Sequence, residues 1–272
     1  MATLNAKVLD EGLDNSMTLK ISASGRTDVG QKRAHNEDAF ALYPEHNVFV
    51  LADGMGGHAS GEVASAIAVE TVGDFYMETS ADQDKTWPFK ENKKLNYEAN
   101  RLSTSVKLAN LHIIEKAQAT KGCESMGTTV VVILVSPRAA YMAHVGDSRG
   151  YLIREGEISQ LTSDHSLLND YLRTNRLTPE EIEAFPHKNV IVRALGMRDI
   201  VEVDIQPLEP RAGDIYLLCS DGLSGMITDQ QILDAVEQNY DDLDTACRRL
   251  IDLANAHGGH DNVTAVLVRC EE

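Results

Sequence analysis

Three aspartates of this sequence stand at the ends of short apolar segments that have the composition of buried β-strands. Asp53 follows residues 48–51, Asp221 follows residues 215–219, and Asp261 comes just before residues 263–268. A carboxylate at the end of a buried strand is held rigidly, and carboxylate oxygens are preferred ligands of hard divalent cations. The pattern predicts a cation site built from distant parts of the chain.

A glycine follows two of these aspartates, at Gly54 and Gly222. Glycine would let the backbone turn sharply there and bring its carbonyl close to a ligand. Taken singly, an Asp-Gly pair is more typical of an ordinary turn. Several acidic positions of this kind, with Asp147 as a further one, favour the cation site. Because no cysteines or histidines stand in ligand spacing, the pattern favours Mg²⁺ or Mn²⁺ over zinc or copper.

The composition excludes several classes of protein. The chain has 272 residues, 43% hydrophobic and 25% charged, which suits one large domain with a buried core. A formal net charge of -17 argues against binding to nucleic acid or anionic membranes. A phosphate-handling site would therefore need local positive charge from a metal ion or a few arginines. The four cysteines are far apart, which indicates free thiols in a reducing compartment.

We expect residues 1–17 to form a polar N-terminal leader ahead of a single domain that spans residues 18–272. Asp10, Glu11 and Asp14 lie where a signal peptide would need a basic and then an apolar stretch. No segment approaches 18 consecutive apolar residues, the length that a membrane-spanning helix requires. The sequence therefore predicts a cytoplasmic protein.

Apolar patterning predicts many strands and few helices. The predicted strands cover residues 18–23, 48–51, 128–135, 139–145, 150–154, 158–161, 215–219 and 263–268. Helical apolar stripes extend over about residues 63–76, 95–117 and 243–254. Several connections are too short for a crossover helix, so neighbouring strands must be antiparallel. The fold class predicted is α+β, with helices covering the outer faces of antiparallel sheets.

Residues 162–195 lack a regular apolar pattern and are predicted to form a small flap on the main body. The clear helix signal there is at Thr178, which can cap a helix that begins at Pro179. Glu181 would complete a capping box. The flap is placed to select substrates or to gate access to a site.

Six segments of the sequence resemble, in order, the motifs of the PPM, or type 2C, protein phosphatases in their bacterial form. They are Arg33-Ala34-His35-Asn36-Glu37-Asp38, Asp53-Gly54-Met55-Gly56-Gly57, Gly127-Thr128-Thr129, Gly146-Asp147-Ser148-Arg149-Gly150, Ser220-Asp221-Gly222-Leu223 and Gly259-His260-Asp261-Asn262-Val263-Thr264. The resemblance extends over about residues 18–270. It implies a central antiparallel β-sandwich with helices on both faces and a two-metal centre at one edge.

The resemblance also implies the ligands of that centre. Asp53 would bridge two Mn²⁺ or Mg²⁺ ions, and the carbonyl of Gly54 would be a further ligand. Asp221 and Asp261 would hold the second ion. Asp147 together with Asp221 would hold a weaker third ion.

By the same resemblance, Glu37 and Asp38 would reach metal-bound water, and Arg33 would grip the substrate phosphate. Two cations about 3.5 to 4 Å apart can lower the pKa of a shared water and present it as hydroxide to phosphorus. The planar guanidinium of Arg33 can contact two phosphate oxygens. Some family members have a histidine directly after the first Asp-Gly, where this chain has Met55. The proton donor to the leaving group is therefore open between the displaced His58 and metal-bound water.

These observations together predict the hydrolysis of phosphoserine and phosphothreonine in proteins. The partners expected are phosphorylated proteins and the cognate serine/threonine kinase that this enzyme would oppose, with the chain itself a monomer. One alternative is a non-catalytic relative that binds phosphoproteins, although such a relative would be expected to lack the metal carboxylates. Another is an unrelated metal hydrolase that acts on a small phosphate ester.

Overall fold

The computed structural model describes residues 19–57, 60–82, 86–136, 139–173, 175–183, 185–186 and 190–272, without the side chains of Pro179 and Glu183. The predicted leader 1–17 and His58 lie outside the described residues. Among the helices described, none combines the length and the apolar composition that crossing a membrane would require.

The strands of the described chain form two antiparallel sheets. The first sheet contains β1 (Lys20–Asp28), β7 (Arg149–Arg154), β8 (Glu157–Gln160), β10 (Ile215–Cys219) and β11 (Val263–Glu271). Their order across the sheet is β1-β11-β10-β7-β8. The second sheet contains β2 (Asp38–Tyr43), β3 (Val48–Met55), β4 (Gly127–Thr128), β5 (Val130–Val135), β6 (Ala140–Val145) and β9 (Asp204–Leu208). Its order is β2-β3-β5-β6-β9, with β4 paired to the end of β3.

Helices cover the outer face of each sheet. Helices α1 (Ser60–Ala81) and α2 (Tyr97–Ala119) pack on the second sheet. On the first sheet lie α5 (Asp221–Ser224), α6 (Asp229–Glu237) and α7 (Leu243–Ala256). Helices α3 (Leu167–Leu172) and α4 (Pro179–Glu183) lie between β8 and β9. The predicted sandwich with helices on both faces is confirmed.

The central strands are apolar on both faces because each face contacts a different layer. In β3, Val48, Val50 and Ala52 pack toward α1 and α2, whereas Phe49 and Leu51 pack between the two sheets. The same alternation divides the residues of β5, β10 and β11 between the layers. Burial on both faces explains why these strands were readable as continuous apolar runs in the sequence.

The elements that the sequence did not predict lie at sheet edges or are short. Strands β2 and β9 are edge strands whose residues are mostly only partly buried, so their apolar pattern is weak. Helices α3 and α5 have six and four residues. Helix α6 has nine residues and a Thr228–Gln231 capping box, a signal that could have located it. The single strand predicted over 128–135 is wrong, because Thr129 separates β4 from β5.

The capping box predicted at the start of α4 is present. The Thr178 Oγ1 accepts the Glu181 N–H at 3.3 Å, and Glu181 Oε2 accepts the Thr178 N–H at 2.8 Å. The division of the chain into a leader, one domain and a flap over 162–195 stays a prediction.

Candidate active site

A cavity of about 200 Å³ opens where the ends of strands from both sheets meet. Its lining consists of Arg33, Glu37, Asp53, Gly54, Met55, Gly56, Ile191, Asp221 and Asp261. Six of the eight residues predicted for the site are in this lining, and they come from four separate parts of the chain. The other two, Asp38 and Asp147, lie beside it.

Asp53 lies near the end of β3, directly across the ladder from Asp38 at the start of β2. Its backbone is fixed by the Gly-Thr-Thr motif. The Asp53 N–H donates to Thr129 Oγ1 at 3.1 Å, and the Asp53 carbonyl accepts from Thr128 Oγ1 at 2.9 Å and from the Thr129 N–H at 2.8 Å. These contacts hold the carboxylate of Asp53 at the cavity with little freedom.

The expectation of a sharp turn at Gly54 is wrong, because β3 continues to Met55 and Gly54 pairs with Thr128 of β4. Glycine is required here by close approach. A Cβ at Gly54 would lie 2.1 Å from the carbonyl oxygen of Gly61 and 2.6 Å from that of Glu37. The Gly54 N–H donates to the Glu37 carbonyl at 3.0 Å, which joins β3 to the loop that carries Glu37.

Asp38 is held by two hydroxyls on the opposite sheet. Its Oδ2 accepts from Ser220 Oγ at 2.8 Å and from Thr264 Oγ1 at 2.6 Å. Its Oδ1 is buried and has no hydrogen-bond partner among the described residues. Burial, and then the charges of Asp221 and Asp261, raise the pKa of Asp38 to about 6, although the two hydroxyl contacts oppose that rise.

Asp147 lies in the turn between β6 and β7, in a neighbouring cavity of about 320 Å³. Asp221 lines both cavities and so connects them. The Oδ1 of Asp147 is buried and unpartnered in the described structure. Burial and the charge of Asp221 raise the pKa of Asp147 to about 7.

Burial and the neighbouring negative charges also raise the pKa values of Asp53 and Asp221. Burial, followed by the charges of Asp38, Asp221 and Asp147, raises the pKa of Asp53 well above its usual value. Burial and the charge of Asp261 also raise the pKa of Asp221. The carboxylates of this cluster offer oxygen ligands only, and the buried Oδ1 atoms of Asp38 and Asp147 have no hydrogen-bond partner among the described residues. The residues therefore fit divalent Mg²⁺ or Mn²⁺, which would offset both the repulsion and the loss of hydration.

The sequence did not predict a group formed by His144, His165 and Asp204. Its members lie on β6, in the segment after β8 and on β9, which are separate parts of the chain. One ring nitrogen of each histidine and one carboxylate oxygen of Asp204 lie within 4.8 Å of one another. The two imidazoles are stacked, with ring centroids 4.6 Å apart and planes 16° apart. Imidazole lone pairs lie in the ring plane, so parallel stacked rings do not direct two nitrogens at one ion. This geometry does not suit a shared metal.

The histidine group instead joins the turn that carries Asp147 to the segment that follows β8. The Gly146 N–H donates to His165 Nδ1 at 3.0 Å, and His165 Nε2 lies 3.4 Å from Asp204 Oδ2. Arg193 donates to the other oxygen of Asp204 at 2.7 Å. Burial and the neighbouring His144 lower the pKa of His165 to about 4, so its ring is neutral at pH 7.

The fold and the carboxylate cluster agree with the comparisons with known proteins. The family profile described as Protein phosphatase 2C matches residues 28–267. The chain belongs to the protein phosphatase 2C family. It is 39% identical over 249 residues to Protein phosphatase PhpP of Streptococcus pneumoniae. The alignment covers 90% of this chain and 96% of that protein.

Solved structures of similar sequence have the same fold. The Mycobacterium tuberculosis serine/threonine phosphatase PstP/Ppp aligns with a TM-score of 0.79 at 36% identity, over 93% of this chain and 99% of the other. The catalytic domain of serine threonine protein phosphatase PstP in complex with two manganese ions aligns with a TM-score of 0.78 at 36% identity, over 94% of this chain and 100% of the other. The predicted enzyme class, a metal-dependent serine/threonine protein phosphatase of bacterial type, is confirmed.

Proposed function

We propose that this chain hydrolyses phosphoserine and phosphothreonine in proteins at a centre of two Mn²⁺ or Mg²⁺ ions, and that it reverses serine/threonine kinase signalling in the cytoplasm. The observation that carries the proposal is the convergence of Asp53, Asp221 and Asp261 on one small cavity that Arg33 also lines. A cavity lined by carboxylates repels a phosphate group unless cations are bound. Bound cations and the adjacent guanidinium of Arg33 would remove that repulsion.

The carboxylates of Asp53, Asp221 and Asp261 and the carbonyl of Gly54 would hold the two ions. Bound there, the ions would supply Lewis-acid chemistry that lowers the pKa of an attacking water. Asp38 would orient water through its free Oδ1, because its Oδ2 is already committed to two hydroxyls. Glu37 also lines the cavity and would contact water there. Asp147 and Asp221 would hold a weaker third ion where the two cavities adjoin.

Arg33 would bind the phosphate group of the substrate. Its side chain is 49% exposed, so it can reach a ligand that enters from solvent. The guanidinium offers paired N–H donors that match two phosphate oxygens, and its charge offsets the negative charge of the transition state. Through these contacts Arg33 would orient the phosphorus for attack.

The leaving alkoxide must receive a proton. Met55 lines the cavity but has no proton to donate, and His58 lies outside the described residues. Gly56 and Gly57 beside Met55 are exposed, so solvent reaches this edge of the cavity. We propose water as the donor, because solvent reaches the cavity beside Met55.

The substrate would be a phosphorylated protein that lies across the cavity mouth. Ile191 of the segment 162–195 lines the cavity, which would place this flap in contact with the bound protein. We propose that the chain acts as a monomer, with one phosphatase domain over residues 18–272 and a leader over 1–17. The kinase whose products it removes would be its functional partner.

The proposal is tested with purified protein, a phosphothreonine peptide and an aryl phosphate. Mn²⁺ should support hydrolysis of both, a chelator should abolish it, and Asp53→Asn should remain inactive with Mn²⁺ restored. A protein that binds the phosphopeptide without hydrolysing either compound would be the non-catalytic relative. Hydrolysis confined to small phosphate metabolites would indicate the other alternative, and either result contradicts the proposal.

A further inference from the structure

The loop between β1 and β2, residues 29–37, carries Arg33 and Glu37 to the cavity. Residues 31–35 are all exposed, so apolar packing does little to fix the loop. Its conformation must therefore depend on hydrogen bonds to the rest of the molecule. Among these, the Gln31 N–H donates to the Gly259 carbonyl at 2.7 Å.

Asn262 makes three further side-chain bonds to the backbone of this loop. Its Nδ2 donates to the carbonyls of Val29 at 3.0 Å and His35 at 2.9 Å. Its Oδ1 accepts the N–H of Glu37 at 2.8 Å. These contacts lie on both sides of Arg33 and use both donors and the acceptor of one planar amide. A single side chain that is 4% exposed thus fixes the two ends of the loop.

The backbone of Asn262 is itself held against the carboxylate cluster. Its N–H donates to Asp261 Oδ1 at 2.8 Å. A Cβ at Gly222 would lie 1.9 Å from the Asn262 carbonyl oxygen, which shows how closely the start of α5 packs on it. A Cβ at Gly30 would lie 2.1 Å from the Asp261 carbonyl oxygen. Asn262 is therefore a rigid connection between Asp261 and the loop.

We infer that Asn262 is a positioning residue that sets Arg33 relative to Asp261, so that the guanidinium meets the phosphate group of the substrate in the productive orientation. This inference rests on the proposed function, because it assigns phosphate binding to Arg33. Both N–H donors of the Asn262 side chain are used and the residue is only 4% exposed, so its contribution passes through the loop and not through contact with a ligand. Misplacing a substrate-binding group by about 1 Å can cost on the order of a hundredfold in rate.

Asn100 provides a matched control. It is also 4% exposed, and its side chain also bonds the backbone of the segment before it. Its Nδ2 donates to the carbonyls of Asn92, Leu95 and Asn96, and its Oδ1 accepts the Asn92 N–H. None of these residues lines either carboxylate cavity. Asn100→Ala therefore reports the cost of losing a buried amide without a connection to Arg33.

The first test is hydrogen exchange of the metal-loaded proteins, which does not depend on activity. Asn262→Ala should accelerate exchange of the amides in 29–37, and Asn100→Ala should leave that segment unchanged. Asn262→Asp keeps the side-chain shape and the acceptor for Glu37, and it replaces the alanine variant if that one does not fold. Unchanged exchange of 29–37 in the Asn262 variant overturns the inference.

The second test is kinetic and separates positioning from general structural loss. At saturating Mn²⁺, Asn262→Ala should lower kcat/KM for a phosphothreonine peptide about tenfold to a hundredfold, with kcat lowered as well as KM raised, and should weaken inhibition by inorganic phosphate. In an Arg33→Ala background the same substitution should cost less than about threefold, because the positioned group is gone. Asn100→Ala should leave kcat/KM within about twofold of the parent protein.

The outcomes distinguish this inference from the proposed function. The inference fails if Asn262→Ala lowers kcat/KM by the same factor in the Arg33→Ala background as in the parent protein. It also fails if calorimetry shows weaker Mn²⁺ binding while inhibition by phosphate is unchanged. Either result would show that Asn262 acts through Asp261. A parent protein that hydrolyses no phosphopeptide contradicts the proposed function, whereas the exchange test still decides whether Asn262 fixes the loop.

Discussion

The guanidinium of Arg33 donates a hydrogen bond from Nη2 to Asp261 Oδ2 at 2.7 Å, across 228 positions of the sequence. This oxygen belongs to a carboxylate that we propose as a cation ligand. The same contact would therefore compete with cation binding, because one carboxylate oxygen would serve both a guanidinium and an ion. Cation binding at Asp261 would free the guanidinium to turn to a phosphate group.

Replacing Arg33 should separate phosphate binding from cation binding. Arg33→Ala should lower kcat/KM for a phosphopeptide about a hundredfold or more, as loss of a transition-state donor does. Calorimetry should show Mn²⁺ affinity equal to or higher than that of the parent protein, because Asp261 loses a competitor. The control is Arg26→Ala, since Arg26 forms a similar ion pair with Asp244 outside the cavity. Weaker Mn²⁺ binding in Arg33→Ala would contradict the competition.

Removing one charge from the cluster should abolish turnover and spare the fold. Asp53→Asn and Asp221→Asn should each lower kcat at least about a hundredfold, because a two-metal centre supplies several kcal/mol of transition-state stabilisation. In the presence of a chelator, both variants should melt no lower than the parent protein, since a buried charge that lacks a cation destabilises the fold. Calorimetric melting and initial rates measure the two effects. Asp74→Asn, on the exposed face of α1, is the control, and full activity in both cluster variants would refute the ligand assignment.

The metal-free protein should lose stability at Asp147 as the pH rises. The pKa of this carboxyl is raised from 3.8 to about 7 in the folded protein, so the folded state binds its proton more tightly than the unfolded state. The resulting stabilisation is complete below the unfolded pKa and is lost as the pH rises through the folded pKa. Asp147→Asn removes this dependence. Its stability relative to the parent protein should therefore increase from about pH 4 to about pH 8, by at most about 4 kcal/mol.

Denaturant unfolding of chelated protein at several pH values measures that difference. Asp252→Asn, at an exposed position on α7, is the control variant. His165, whose pKa is lowered, contributes stability that is lost in the opposite direction, as the pH falls through about 4. Because this contribution is common to the parent and the variant, it cancels in the comparison. A gap that does not change with pH would show that Asp147 ionises normally.

Two glycines of one motif should respond differently to alanine. Gly54→Ala places a Cβ 2.1 Å from the Gly61 carbonyl oxygen and should destabilise the fold by about 1 to 3 kcal/mol, or more if the strands cannot separate. At Gly57 an added Cβ meets no atom of the described residues within 4 Å, so Gly57→Ala should change stability by less than about 0.5 kcal/mol. Thermal melting of both variants provides the measurement. Equal melting temperatures would mean that the backbone at Gly54 is not tightly enclosed.

Local patterns in the sequence were sufficient for the central strands and the three long helices. Residues 48–51 and 215–219 are buried on both faces, so burial left a continuous apolar run that needs no knowledge of neighbours. The strands β2 and β9 lie at the edges of their sheet and are mostly only partly buried, so their patterns are correspondingly weak. Gly54 could not be explained from the local sequence. A glycine is needed there because the backbone carbonyls of Gly61 and Glu37 leave no room for a Cβ, and not because the chain turns.

The sequence by itself determined which residue types could hold a cation, since carboxylates after apolar strands and a nearby arginine are local features of the chain. Only the tertiary structure decided how they act together. It placed Asp38 under the hydroxyls of Ser220 and Thr264, and it made Asn262 the link between Asp261 and the loop of Arg33. These contacts join residues more than 180 positions apart, and such pairs are fixed by the packing of two sheets, which no local pattern encodes.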